Sequence, residues 1–301
     1  MRVYLLPSEG SFYRANLHCH TTISDGRFTP AEIKSRYVAA GYSIVAFSDH
    51  ETPVPHLELK DENFLPVTAY EISFNKPEPY HPHWTPTHHF NLYSKKECPT
   101  HFPYICPEKD WWGPGFFEPA GFNPDDYVVD TRTPTYTIEG LQKIIDRANE
   151  LGFLVSYNHP AWSLQEPETY TQLDGIWGVE CCNSGCYRSG FILDNNEFPL
   201  HSYLKAGKDV FPLAQDDNHS AKHEFSGWNM VKSPSLKYGD VISALERGDF
   251  YASTGPSIEH LWLEDGVLHL ESPDGVAAYL TTDSRFQSCI TAPANTRLVA
   301  D

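Results

Sequence analysis

Histidines and carboxylates recur along this chain at spacings that allow them to share a cation. His18-Cys19-His20 places two imidazoles at i and i+2, which on an extended backbone point to one side about 7 Å apart. Asp25 follows in the turn-like run Ile23-Ser24-Asp25-Gly26, and His50 closes Ser48-Asp49-His50. Glu71 stands at the end of an apolar run, a poor place for an unpaired carboxylate. His159 precedes Pro160, which fixes the backbone beside it, and Asp217-Asn218-His219 repeats the i, i+2 spacing with one carboxylate and one imidazole. Each has an ordinary reading as well: an aspartate that suits a turn, or a histidine in a core or loop. Together they form a mixed nitrogen and oxygen donor set suited to Zn, Mn or Fe. A carboxylate such as Glu71 could bridge two ions. The implied chemistry is metal-dependent hydrolysis, in which a bound metal acidifies water to hydroxide and neutralises the oxygens of the group attacked. There is no Gly-x-Ser-x-Gly elbow and no phosphate-binding P-loop, so no separate protein nucleophile is assigned.

Most of these residues stand at the ends of short β-rich runs. Asn16 to Cys19 reads as a strand entering His20, Ser43 to Phe47 leads to His50, and Leu65 to Ile72 carries Glu71. Phe153 to Tyr157 leads to Asn158-His159-Pro160, Ile176 to Cys181 to Asn183, and Val210 to Ala214 to Asp216-Asp217-Asn218-His219. Between them lie helix signals. Thr29-Pro30-Ala31-Glu32 has the N-cap, first-turn proline and capping-box glutamate of a helix that should end near Gly41. A second helix is expected from about Thr137 to Leu151, with Ile138, Leu141, Ile144, Ile145 and Ala148 on one face, and a third from about Asp240 to Arg247, closed by Gly248. Strands alternating with helices predict a parallel α/β sheet, and functional groups after successive strands mark the C-terminal edge of a barrel. Residues 73–135 break the pattern: rich in Pro and aromatic residues, they read as an ordered insertion around a strand-like run from His89 to Tyr93. Trp111, Trp112, Phe116 and Phe117 give its later part the composition of a lid or of a small satellite core.

The order and spacing of these pieces resemble the PHP family of phosphoesterases, named for polymerase and histidinol phosphatase members. The resemblance rests on His18-x-His20, Thr21-Thr22-Ile23-Ser24-Asp25-Gly26, Ser48-Asp49-His50, Glu71-Ile72-Ser73, Asn158-His159-Pro160 and Asp217-x-His219, spanning roughly residues 14–220. The run Gly248-Asp249-Phe250-Tyr251-Ala252-Ser253-Thr254-Gly255-Pro256 is similar to a segment that follows the barrel in stand-alone members. The resemblance implies a distorted (β/α)7 TIM-like barrel holding two to three divalent ions. It implies that His18, His20, Asp25, His50, Glu71, His159, Asp217 and His219 are ligands, together with a histidine shortly after the Glu71 strand. His89 fits best, with His81, His83 and His88 as competitors. Asp216 stands where the family has a small residue, which leaves two carboxylates before His219; the spacing favours Asp217. The barrel is expected over residues 1–255, with a small β-rich extension over 256–301.

Composition narrows the classes. The chain has 301 residues, 40% hydrophobic, a globular proportion. Its formal charge of −18 repels nucleic-acid phosphates, and no basic stripe offsets it. The expected substrate is a small phosphorylated metabolite, its charge met by the metals and by Arg132, Arg188 or Lys222. No apolar stretch is long enough to cross a bilayer and no signal peptide is evident, so a soluble, cytoplasmic protein is expected, without nucleic-acid or membrane partners. The seven cysteines have no framework spacing; Cys181, Cys182 and Cys186 read as ordinary thiols. Two rival readings remain: a metal-dependent amidase or other C–N hydrolase, and a non-catalytic metal-binding accessory domain.

Overall fold

The computed structural model describes residues 1–77, 79, 81, 83–105, 127–130, 135–282, 284–285, 287–291 and 298–300. In chain order its strands and helices are β1 (Arg2–Tyr4), β2 (Ser11–Asn16), α1 (Pro30–Ala39), β3 (Ile44–Phe47), β4 (Leu65–Asn75), β5 (Thr87–Ser94), β6 (His101–Phe102), β7 (Val128–Val129), α2 (Ile138–Glu150), β8 (Phe153–Tyr157), α3 (Pro167–Tyr170), β9 (Gly178–Asn183), α4 (Ser184–Arg188), α5 (Phe198–Lys205), β10 (Phe211–Gln215), β11 (Trp228–Ser233), α6 (Tyr238–Arg247) and β12 (Phe250–Ser253). Five short strands follow: β13 (His260–Glu264), β14 (Val267–Ser272), β15 (Ala277–Leu280), β16 (Ser288–Thr291) and β17 (Leu298–Ala300). No helix among the described residues is long and apolar enough to cross a membrane.

Nine strands form one barrel-like sheet in the order β10-β9-β8-β5-β4-β3-β2-β11-β12. The side chain of Asn229 on β11 bonds both the amide and the carbonyl of Ala214 on β10, drawing the two ends of the sheet together. The architecture is the expected TIM-like α/β barrel, with a distortion. β2, β3 and β4 run parallel, as do β8, β9 and β10, but β5 is antiparallel to both of its neighbours, as β11 is to both of its own. Only residues 76–86 join β4 to β5; a connection this short, with no helix among its described residues, returns the chain antiparallel. β4 therefore extends to Asn75, three residues into the segment read as an insertion, and pairs with β5 from Ala69↔Tyr93 to Asn75↔Thr87. Within the rest of that segment, residues 106–126, which include Trp111, Trp112, Phe116 and Phe117, and residues 131–134 lie outside the described residues.

The helix signals act as their chemistry dictates. Thr29 Oγ1 accepts from the Glu32 amide and Glu32 Oε2 from the Thr29 amide, completing the capping box. Thr137 caps α2, whose apolar face buries Leu141, Ile144, Ile145 and Ala148, and Gly248 closes α6 at φ +76°. Strand alternation sorts side chains between cores. On β4, Tyr70, Ile72 and Phe74 pack with α2 and its neighbours, while Leu65, Val67 and Ala69 face a second core, and Glu71 continues that second face. Beyond the barrel, β13, β14 and β17 form a small antiparallel sheet that takes in the N-terminal strand β1.

Candidate metal centre

The first histidine pair is not on a strand, contrary to expectation, because β2 ends at Asn16. Past it, residues 18–20 are held by main-chain bonds to two other strand ends: Asp217 N to His18 O (3.0 Å), His20 N to Asn218 O (3.3 Å) and Ser48 N to Cys19 O (2.9 Å). The two imidazoles still converge, with Nε2 atoms 3.0 Å apart. Two close approaches need glycine. A Cβ at Gly26 would lie 2.4 Å from the His20 carbonyl oxygen, and one at Gly185 would lie 2.5 Å from that of Asp217. His159 (φ 25°) and Asp217 (φ 47°) occupy backbone regions costly for residues with side chains, as is common where structure positions reactive groups.

All nine residues read as metal ligands meet at one end of the barrel. His20, Asp25, His50 and His219 form one group, His18, His159 and Asp217 a second, His18, His20 and Glu71 a third, and Glu71, His89 and His159 a fourth; within each group the donor atoms lie no more than 4.8 Å apart. Glu71 is central. Its Oε2 faces His18 Nε2 (3.4 Å), His20 Nε2 (3.3 Å) and His50 Nδ1 (3.2 Å), and its Oε1 faces His89 Nδ1 (3.0 Å) and His159 Nε2 (3.3 Å). Asp217 Oδ1 lies 3.3 Å from His18 Nε2 and 3.1 Å from His20 Nε2.

Strand alternation separates the competing histidines. On β5, His89 shares a face with Asn91 and Tyr93, whereas His88 lies with Phe90 and Leu92 and bonds the Tyr157 hydroxyl (2.7 Å). Burial, with His89 adding to it, lowers His88 to about 4. His81 is exposed, and His83 lines the cavity mouth without joining any of the donor groups. Asp217, not Asp216, reaches the imidazoles: Asp216 accepts from Tyr37 Oη (2.8 Å) and from the amides of Phe225 and Ser226, and burial raises it to about 6.

The sequence reading missed Glu180. Buried on β9, it accepts from His18 Nδ1 (2.6 Å), Gln215 Nε2 (2.6 Å), the His159 amide (2.7 Å) and Asn183 Nδ2 (2.8 Å). A lone carboxylate inside a buried strand was the available signal. Asp49 has a similar supporting part, accepting from the amides and hydroxyls of Thr21 and Ser24 and so fixing the turn that carries Asp25.

These partners test whether the site suits cations. Glu180 accepts from His18 Nδ1, which leaves Nε2 of the neutral ring as a lone pair. The carbonyl of Asp217 does the same for His219 through Nδ1 (3.1 Å), and Ser24 Oγ, whose own proton goes to Asp49, does so for His20 (3.3 Å). The lone pairs of His18 and His20 then face Glu71 and Asp217, and that of His219 faces Asp25 Oδ2 at 3.2 Å. Acceptor against acceptor is repulsive unless something positive lies between. The donor set therefore fits divalent cations, with one Glu71 oxygen turned to each of two histidine sets. Without metal, protons take that place. Burial works against charge on His20 and His159, but hydrogen bonds to Asp217 and Glu71 raise His20 to about 10, and Glu71 with its neighbours raises His159 to about 9. Against their own burial, the histidines hold Glu71, Asp217 and Asp25 well below the usual carboxylate range.

The cluster opens into a cavity of about 600 Å³ whose wall includes Trp162, Leu164 and Phe191. Among the described residues its lining contains no lysine or arginine. Arg188 is exposed and bonds Ser226 Oγ (2.9 Å), and Lys222 is exposed; neither lines the cavity, because each extends from its short helical turn towards solvent. Arg132 lies outside the described residues. Cys186 lines the cavity, but burial pushes its thiol well above the usual range, so it offers no thiolate.

No family model matches the chain. A 5'-3' exoribonuclease of Haemophilus influenzae is 36% identical over 64 residues, 20% of this chain and 23% of that protein, so the chain matches under a quarter of that relative's length. Among solved structures, a two-domain protein of Bacteroides vulgatus containing a predicted PHP-like metal-dependent phosphoesterase is 13% identical, covering 99% of this chain and 88% of that one, with a TM-score of 0.49. A candidate metal-dependent phosphoesterase of Bifidobacterium adolescentis is 17% identical, covering 71% and 90% respectively, with a TM-score of 0.45. In its barrel-like sheet this chain is similar to solved PHP-like metal-dependent phosphoesterases.

Proposed function

We propose that the protein is a metal-dependent hydrolase acting on a small phosphoester. The observation that carries this reading is the convergence of imidazole lone pairs and carboxylates around Glu71 at the base of a cavity. His18, His20, Asp25, His50, Glu71, His89, His159, Asp217 and His219 would hold two to three divalent ions. Such ions, when bound, acidify water and polarise phosphoryl oxygens. The chain's own residues do the rest. Glu180, Ser24 and the Asp217 carbonyl keep three imidazoles turned with Nε2 towards the cluster. Trp162 packs edge-on against His89 and His159 (ring centroids 5.4 and 4.9 Å) and shields their outer side from water. The carboxylates Asp25, Glu71 and Asp217 line the cavity of a chain of charge −18, and bound cations would make it more favourable to an anionic substrate. The cavity volume is in the range that encloses a small molecule.

The test is elemental analysis of the purified protein, followed by assay on aryl phosphate monoesters, bis-aryl phosphates, short RNA and DNA, and aryl amides. Expected are more than one equivalent of Mn, Fe or Zn, and phosphoester hydrolysis that is lost on chelation and restored by Mn or Zn. Hydrolysis confined to amides, turnover only of polynucleotides, or the absence of metal with no response to added ions would each overturn the reading.

A further inference from the structure

His219 and His223 are four residues apart and both line the cavity, so they resemble a pair of metal ligands. Their hydrogen bonds give them opposite roles. His219 donates from Nδ1 to the Asp217 carbonyl, which leaves Nε2 as a lone pair for a cation. His223 accepts the His219 amide N–H on Nδ1 at 3.2 Å. A ring that accepts a main-chain N–H on Nδ1 carries its proton on Nε2, because a proton on Nδ1 would oppose the amide hydrogen. His223 Nε2–H is therefore a donor. It lies 3.4 Å from Ser189 Oγ, a long contact, and Ser189 also lines the cavity. The residue is 8% exposed, so its orientation is held by packing. The same tautomer prevents His223 from acting as a base for Ser189, since Nε2 has no lone pair to receive the hydroxyl proton.

We propose that His223, supported by Ser189, is an oxyanion-binding residue: its Nε2–H donates to a non-bridging oxygen of the substrate's phosphoryl group. The surroundings favour this. Among the described residues the cavity lining has no lysine or arginine, so among them a phosphoryl oxygen turned away from the cations would meet neutral donors such as His223. The His223 ring lies beside that of His219 (centroids 6.1 Å apart), which puts the donor at the edge of the cation-binding cluster. The inference rests on the phosphoesterase reading and adds to it a specificity-determining residue for anionic esters.

The test uses the metal-loaded full chain with inorganic phosphate as the probe. Metal content is measured by elemental analysis, phosphate Kd by calorimetry, and kcat and KM on an aryl phosphate, for wild type, His223→Ala, His223→Gln and His219→Ala. His223→Ala should keep wild-type metal content while phosphate Kd and KM rise about tenfold, the scale of one hydrogen bond to a charged group. His223→Gln, which retains an N–H donor, should recover part of the loss, and His219→Ala should lose metal. Loss of metal in His223→Ala would make His223 a ligand and overturn the proposal. Unchanged phosphate Kd and KM with intact metal would also overturn it, leaving the phosphoesterase reading in place. If metal-loaded wild type neither binds phosphate nor hydrolyses phosphoesters, both fall together.

Discussion

Replacing Glu180 by Gln should separate the stability of the metal-free fold from its capacity to bind metal. Glu180 Oε1 accepts from His18 Nδ1 and Gln215 Nε2, and Oε2 accepts from the His159 amide and Asn183 Nδ2, all within 2.6–2.8 Å. A glutamine keeps one acceptor oxygen and makes the other position a donor. On the Oε2 side the new amide would face the His159 main-chain N–H, which cannot reverse. It therefore takes the Oε1 side. There Gln215 can turn over its carboxamide, whose Oε1 has no hydrogen-bond partner among the described residues, and His18 can move its proton from Nδ1 to Nε2. The bonds survive without their charge, a loss of roughly 0.5–1 kcal/mol each. The chelated variant should therefore be roughly 2–4 kcal/mol less stable, or about 3–6 °C lower in Tm for a chain of this length. The effect on metal should be larger, because His18 Nε2 would now present a proton where it presented a lone pair. Loss of such a supporting partner weakens metal binding about 10–100-fold. Thermal unfolding followed by circular dichroism in chelator gives the first quantity, and competitive Zn or Mn titration gives the second. Metal affinity within twofold of wild type would refute the claim that Glu180 sets the His18 tautomer, whatever happens to Tm.

Glu71→Gln keeps the size and one acceptor oxygen of Glu71 but removes the charge shared by two histidine sets. It should lower metal stoichiometry and reduce kcat at least about a hundredfold, the scale of losing one electrostatic stabiliser, while the chelated protein stays folded. His56→Ala is the control: His56 packs on Phe47 (ring centroids 4.7 Å) away from the cavity, so metal content should not change even if stability falls. Full metal content and near-normal turnover in Glu71→Gln would mean that the centre has been assembled around the wrong residue. The chelated wild type should also respond to pH. His20 and His159 are raised from 6.5 to about 10 and about 9, so their contribution to stability is fully present below pH 6.5 and is lost as pH rises through 9–10. Its Tm should fall between pH 7 and 10, and added Mn or Zn should restore it, because metal replaces those protons. A flat or rising Tm over that window in chelator would contradict the proton-filled cluster.

What the sequence determined by itself is local. Thr29, Pro30 and Glu32 set the start of α1 because a capping box needs only neighbouring atoms, and the spacing of Leu141, Ile144, Ile145 and Ala148 sets the buried face of α2 because helical periodicity is intrinsic to the chain. The positions of His50, His159 and Asp217 after β-rich runs were legible for the same reason, whereas Glu71, expected at a strand end, lies inside β4. The alternation His89-Phe90-Asn91-Leu92-Tyr93 was legible too, but periodicity alone does not say which face meets the cluster, and only the family resemblance favoured His89. The tertiary structure decided that side by packing Phe90 and Leu92 with α2. It also reversed β5, because a short connection without a helix cannot return a strand parallel, and it placed β1 in the C-terminal sheet across the whole length of the chain. Above all it decided what each polar group opposes. Glu180 is an unremarked carboxylate until His18, His159 and Gln215 arrive from three other segments to join Asn183 of its own strand, and His223 looks like a ligand until the His219 amide meets its Nδ1. Residue type and spacing can nominate a donor atom, but the side on which its proton sits depends on the partner that long-range folding brings to it.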